Sequence, residues 1–159
     1  MHIIPVPKQR AMPWKNGKGV SWHIAADPDG ADFDSFSWRV SRAAIVRDAP
    51  FSAFPDTDRW IALIQGEGFA LRFEDGTALM LRRPLMPMRF DGAIAAECKL
   101  SAGPATVINV MARRGKATAD VAVIAQPDGM PPDIGDAARD GNLILVRLDA
   151  TRVLRARFT

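Results

Sequence analysis

Cysteine occurs once in the 159 residues, at Cys98; tyrosine is absent, and histidine stands only at His2 and His23. A single thiol excludes an intrachain disulfide and fits a reducing compartment, so a cytoplasmic protein is expected. Two histidines far apart, with no HxH or ExxH spacing, do not supply the imidazole-rich set that a first-row transition metal takes. Neither a metal nor another cofactor is therefore expected. No apolar run is long enough to span a bilayer, and no basic stretch followed by an apolar one marks a signal peptide, so no membrane partner is expected. Net charge is +3, with basic and acidic residues mixed rather than in runs, which argues against nucleic acid as a partner. The Gly-x-Ser-x-Gly elbow, the phosphate-binding loop and the dinucleotide fingerprint are all missing. So is any amphipathic helical period of useful length.

What is present is ordinary globular material. Hydrophobic residues make up 48% of the chain against 25% charged, enough for one continuous core. Short alternating or apolar stretches recur between turn signals. Val20 to Ala25, Phe36 to Val46, Arg59 to Ile64, Phe69 to Phe73, Met88 to Phe90, Ala95 to Leu100, Thr106 to Met111, Val121 to Ala125 and Leu143 to Leu148 read as strands, with Val153 to Phe158 as a possible partner of the last. Met1 to Ala11 reads as an edge strand or arm broken by Pro5 and Pro7. Asp48 to Pro55 reads as an irregular loop pinned by its two phenylalanines, and Gln65-Gly66-Glu67-Gly68 as a hairpin turn joining its flanking strands. Asp75-Gly76 is a second hairpin signal. Pro127 to Gly135 reads as loop, and Asp136 to Asp140 as one helical turn at most. The class is all-β, a sandwich or barrel, with two β-units sharing one core.

The chemistry-bearing residues are mostly donors. Pro13-Trp14-Lys15-Asn16-Gly17-Lys18-Gly19 packs an aromatic, two cations and an amide into a glycine-rich turn, more than a simple chain reversal requires. Arg39, Arg59, Asn109 and Arg113 stand at strand ends, and alternation in Trp38-Arg39-Val40-Ser41 puts Arg39 and Ser41 on one face. Arginine suits bidentate recognition of a carboxylate in a partly buried place. Cys98 sits in an apolar stretch, where a thiol behaves as a small core residue unless His23 comes near it. Asp56, Asp58, Glu67 and Asp91 read as turn, capping or ion-pairing residues rather than an acid–base pair.

In order along the chain, Pro13-Trp14-Lys15-Asn16-Gly17, Trp38-Arg39-Val40-Ser41, Pro50-Phe51-Ser52-x-Phe54-Pro55, Asp58-Arg59, Gly66-Glu67-Gly68, Phe90-Asp91-Gly92 and Gly103-Pro104 through Asn109-x-Met111-x-Arg113-Arg114 resemble the HutD/Ves family. The resemblance covers roughly the first three quarters of the chain. It implies an RmlC-like cupin, a jelly-roll β-barrel, with residues 1–159 forming a single compact, bicupin-like domain of two cupin-like halves. It also implies a bacterial protein linked to histidine utilisation or to environmental stress, with no established reaction. Two positions depart from the family pattern. Lys18 replaces the middle glycine of Lys-Asn-Gly-Gly-Gly, and Val107 stands where an Asp precedes the Asn by two residues. Both changes favour a more anionic ligand, or simply a diverged one.

The reading that unites these observations is a metal-free cupin that binds a small carboxylate metabolite, N-formylglutamate-like or related. Its ligand-binding residues would be Trp14, Lys15, Asn16, Arg39, Arg59, Asn109 and Arg113. The alternatives are a metal-independent enzyme acting on a carboxylated metabolite through Lys15 or Asp91, and a protein-interaction or regulatory subunit using the loop from Gly129 to Pro132. A homodimer is compatible with all three.

Overall fold

A computed structural model describes residues 2–4, 10–14, 19–124, 142–148 and 152–158. All regular structure within them is β: β1 (His2–Ile4), β2 (Arg10–Pro13), β3 (Gly19–Asp27), β4 (Trp38–Ile45), β5 (Ala49–Phe51), β6 (Thr57–Gln65), β7 (Phe69–Phe73), β8 (Ala78–Leu81), β9 (Met88–Asp91), β10 (Ala96–Leu100), β11 (Ala105–Arg113), β12 (Ala119–Ile124), β13 (Asn142–Leu148) and β14 (Arg152–Phe158). No helix among the described residues is long and apolar enough to cross a membrane. The expected loop from 127 to 135, the helical turn at 136–140 and Lys15, Asn16 and Lys18 lie outside the described residues.

The strands form three sheets. Six run in the order β2-β3-β4-β11-β6-β9, four in the order β5-β10-β7-β8, and four in the order β1-β14-β13-β12. Between β4 and β11 the chain crosses repeatedly from the six-stranded sheet to the first four-stranded one and back. Their facing surfaces share one core that includes Ala43, Ile45, Ile61, Leu63 and Val107 from the larger sheet and Phe69, Leu71, Phe73, Leu81 and Cys98 from the smaller. The opposite face of the six-stranded sheet buries Trp38, Val40, Ile108 and Val110 against Val121 of β12. Strands β4 and β11 are therefore covered on both faces. This explains the nearly unbroken apolar run from Val107 to Met111, which is interrupted only by Asn109.

Three expectations change. The Gly66–Gly68 turn is not a hairpin, because β6 pairs with β11 and β9 while β7 pairs with β10 and β8. It is a corner that carries the chain from one sheet to the other. Close packing there explains the glycines: Gly68 has φ +93°, and a Cβ on it would come within 2.1 Å of the Leu81 carbonyl oxygen. The segment from Asp48 to Pro55 is not wholly irregular either. Ala49–Phe51 pairs antiparallel with β10, and Pro50 is tolerated because β5 is a sheet edge. Finally, the sheets do not close into a hydrogen-bonded barrel: β8 and β9 remain separate edges among the described residues. The link between them holds Pro84 and Pro87, has Leu85 at φ 65°, and is tied instead to β6 by the Leu85 N–H donating to the Leu63 oxygen.

Candidate functional site

In an antiparallel ladder, directly opposed residues share a face. The registers therefore lay the inner face of the six-stranded sheet out in rows. One row is Ala26, Arg39, Met111, Arg59 and Phe90. The next is Arg10, His23, Ser41, Asn109, Ile61 and Met88, and the one beyond is Met12, Ser21, Ala43, Val107 and Leu63. Polarity is thus concentrated at one end of the inner face, and the row with Val107 begins the apolar core. Arg39 and Arg59 sit two strands apart, about 10 Å between backbones.

Both arginines are buried, Arg39 to 1% exposure and Arg59 to 5%. Neither has a carboxylate partner among the described residues. Arg39 donates through one terminal nitrogen to the Met12 sulfur at 3.4 Å and lies 4.6 Å from the Phe33 ring centre. Its Nε and other terminal nitrogen have no partner. Arg59 donates to the Ser52 carbonyl at 3.0 Å and is ringed by Phe51, Phe54 and Phe90 at 5.5, 5.3 and 4.9 Å, with its Nε unpartnered. Burial lowers the pKa of both, and that of Arg59 falls to about 10, so each remains a cation at neutral pH. Asn109, in the adjacent row, is 7% exposed with an unpartnered Oδ1. Aromatic rings soften the burial of a guanidinium but do not replace a counter-ion.

Two loops cover this end. Phe33, after β3, and Phe54, after β5, stack at 5.5 Å, joining the loop over Arg39 to the loop over Arg59. Close packing also fixes Arg59 from below, since a Cβ on Gly92 would approach its Cγ and Cδ to 3.0 Å.

Of the seven predicted ligand-binding residues, Lys15 and Asn16 lie outside the described residues. The other five lie on this side of the sheet. Arg39, Arg59, Asn109 and Arg113 share the inner face, since alternate residues of β11 point the same way. Trp14 joins them through Phe51: its ring meets Phe51 edge-on at 6.0 Å, and its Nε1 donates to Ser21 Oγ at 2.7 Å. Its backbone N–H donates to the Gly19 oxygen at 3.0 Å. Arg113 lies at the rim over Phe36 at 4.9 Å and supports the Phe33 loop rather than entering the site.

Cys98 is a core residue: it is fully buried, with its thiol pushed up to about 12 by burial. Asp58 and Asp91 are held by arginines, Asp58 by Arg89 and Arg114 and Asp91 by Arg114. Asp91 also accepts from the Ala93 N–H, as a turn residue does. No group of three or more potential metal ligands is assembled among the described residues.

Ser41 was within reach of the sequence, since the alternation that faces Arg39 inward also faces Ser41 inward. His23 was not. Its place opposite Ser41 depends on the irregularity in β3 between His23 and Ala25, which no local pattern announces. Its pKa is lowered, first by burial and then by the Arg39 charge, with Arg10 adding to this and Asp29 opposing it. A depressed histidine favours the folded state while neutral, so this contribution is present above the unfolded value of about 6.5 and is lost as pH falls through the folded value. Thermal melts between pH 7.5 and 5 should show stability dropping at the acid end, and His23→Gln should flatten that drop.

The chain is 36% identical over 103 residues to an uncharacterised 21.2 kDa protein from the hutC 3′ region of Pseudomonas putida, covering 63% of this chain and 52% of that one. It is 33% identical over 124 residues to protein Ves of Citrobacter koseri, covering 77% and 63%. It superimposes on HutD from Pseudomonas fluorescens SBW25, solved in a formate condition, with a TM-score of 0.69 and 31% identity over 76% of this chain and 65% of that one. The matches thus span between about half and two-thirds of those relatives' lengths. The HutD family model itself matches residues 7–155, nearly the whole sequence, and the chain belongs to the HutD family.

Proposed function

We propose that this protein is a cupin-like jelly roll that binds a small carboxylate metabolite between Arg39 and Arg59. The observation that carries the reading is a pair of buried guanidiniums on one row of the sheet, with no counter-ion among the described residues and with donors left over. Burying a cation without an anion is unfavourable by several kcal/mol, and a fold keeps such a group when a ligand provides the anion. Arginine's planar fork matches a carboxylate at two points, and Asn109 adds a neutral polar contact beside it. Lys15 and Asn16, which follow Trp14 in sequence, would add a cation and an amide to the recognition of the carboxylate. The protein would act in the cytoplasm, in keeping with its one buried free thiol, as a sensor of a histidine-utilisation or stress-linked metabolite rather than as a catalyst.

Isothermal titration with formate, glutamate, N-formylglutamate, urocanate and histidine, at fixed ionic strength, tests this. A selective carboxylate should bind, and Arg39→Lys should weaken it at least about tenfold, because the charge is kept and the fork is lost. Equal affinity in wild type and Arg39→Lys would place the ligand elsewhere.

A further inference from the structure

The open edge of the four-stranded sheet carries an unusual charge pattern. From Glu74 to Arg83 the chain reads Glu-Asp-Gly-Thr-Ala-Leu-Met-Leu-Arg-Arg, acidic at one end, uncharged through β8 and basic at the other. Every one of these residues is exposed except Leu79 and Leu81. Sheet edges are commonly guarded by a lysine, a proline or a bulge, yet β8 itself has neither charge nor proline, and Met80 is 46% exposed. Met86, in the following link, is 51% exposed.

We propose that β8 pairs antiparallel with β8 of a second copy of this chain across a twofold axis. The hydrogen-bond alternation sets the register. The Phe73 N–H donates to the Thr77 oxygen, and Leu71 opposes Leu79. The pairs Phe73–Thr77 and Leu71–Leu79 are therefore bonded ones, and the N–H and C=O groups of Ala78 and Met80 face the open side. Two such edges bond when Ala78 of one copy lies opposite Met80 of the other, with Leu79 on the axis. Beyond the ends of β8, this register brings the turn that holds Glu74 and Asp75 of each copy beside the link that holds Arg82 and Arg83 of the other. The acidic end of each strand thus meets the basic end of its partner, twice. A parallel pairing would set like charges side by side.

The surface beside the edge suits this occupant. Between the edges β8 and β9 lies an open depression of about 290 Å³ whose apolar lining is Phe73, Leu79, Phe90 and Ile94. A second strand laid along β8 would sit over its mouth and bring its own Leu79 to the apolar lining.

Sedimentation velocity and light scattering over a concentration series test the pairing. Wild type should form a dimer. Met80→Pro removes an outward N–H, and Arg83→Asp sets an acid beside the acidic turn of the other copy; each should shift the protein to monomer, by at least tenfold in dissociation constant. The double variant Asp75→Arg/Arg83→Asp exchanges the charges and should recover the dimer. Arg83 is exposed, so Arg83→Asp carries the test if Met80→Pro disturbs folding by circular dichroism. A wild type that stays monomeric at every concentration, a dimer that survives Met80→Pro or Arg83→Asp, or a double variant that stays monomeric would overturn the proposal.

Discussion

Arg59→Met is expected to make the unliganded protein more stable while removing carboxylate binding. Arg59 is held as a cation in a site that lowers its pKa from 12.5 to about 10, a difference worth roughly 3 kcal/mol against the folded state at neutral pH. The sign follows from the depressed value: the penalty is in force below about pH 10 and eases as the guanidinium deprotonates above it. Methionine keeps an unbranched apolar stem against Phe51, Phe54 and Phe90 and removes the charge. Losing the bond to the Ser52 carbonyl takes back about 1 kcal/mol. The net gain should be about 2 kcal/mol, or a rise of roughly 4–8 °C in Tm for a chain of this size. Denaturant titration gives the stability, and calorimetry with the carboxylate that wild type binds gives the affinity. A variant that is less stable and still binds would show that Arg59 is a structural cation. The combination of higher stability and lost binding is the signature of a site preserved for its ligand.

Gly68→Ala should have the largest effect in the opposite direction, a loss of about 3 kcal/mol or more. Two causes add. At φ +93° an alanine is strained by roughly 1–2 kcal/mol, and its Cβ would stand 2.1 Å from the Leu81 carbonyl oxygen, a backbone atom that cannot turn aside. To relieve the clash, the corner between β6 and β7 must open, and Phe69, fully buried immediately after it, must leave its packing. Gly76→Ala is the control. Its φ is also positive, at +86°, but nothing lies within 4 Å of the added methyl, so only the conformational part should be lost. If the two variants melt alike, crowding at the corner is not what requires the glycine.

These two positions also mark how far the sequence could be read. The all-β class, most strands and the common face of Arg39 and Ser41 followed from local periodicity, because alternation along one strand is a short-range signal. Gly66-Glu67-Gly68 was misread because two glycines between apolar runs are equally at home in a hairpin and in a sheet-to-sheet corner. Only the pairing of β6 with β11, more than 40 residues away by the register of Trp60 with Val110, separates the two. The proximity of Arg39 to Arg59 is non-local in the same way, being set by the Met111 register between them. Carboxylates were more legible. The two beside Arg59 in sequence, Asp56 and Asp58, were read as structural, and Asp58 indeed spends its charge on Arg89 and Arg114, leaving Arg59 alone.

Cys98 gives the molecule an internal clock. Its thiol is fully enclosed between the sheets and held far from its anionic form, so nothing in solution reaches it while the smaller sheet stays on the larger. Chemical modification at this one sulfur therefore records separation of the layers and leaves the movement of surface loops unrecorded. Oxidation of this thiol, unlike that of the exposed Met80 and Met86, is consequently tied to how often the whole core opens, and a ligand bound only by the folded protein would slow it.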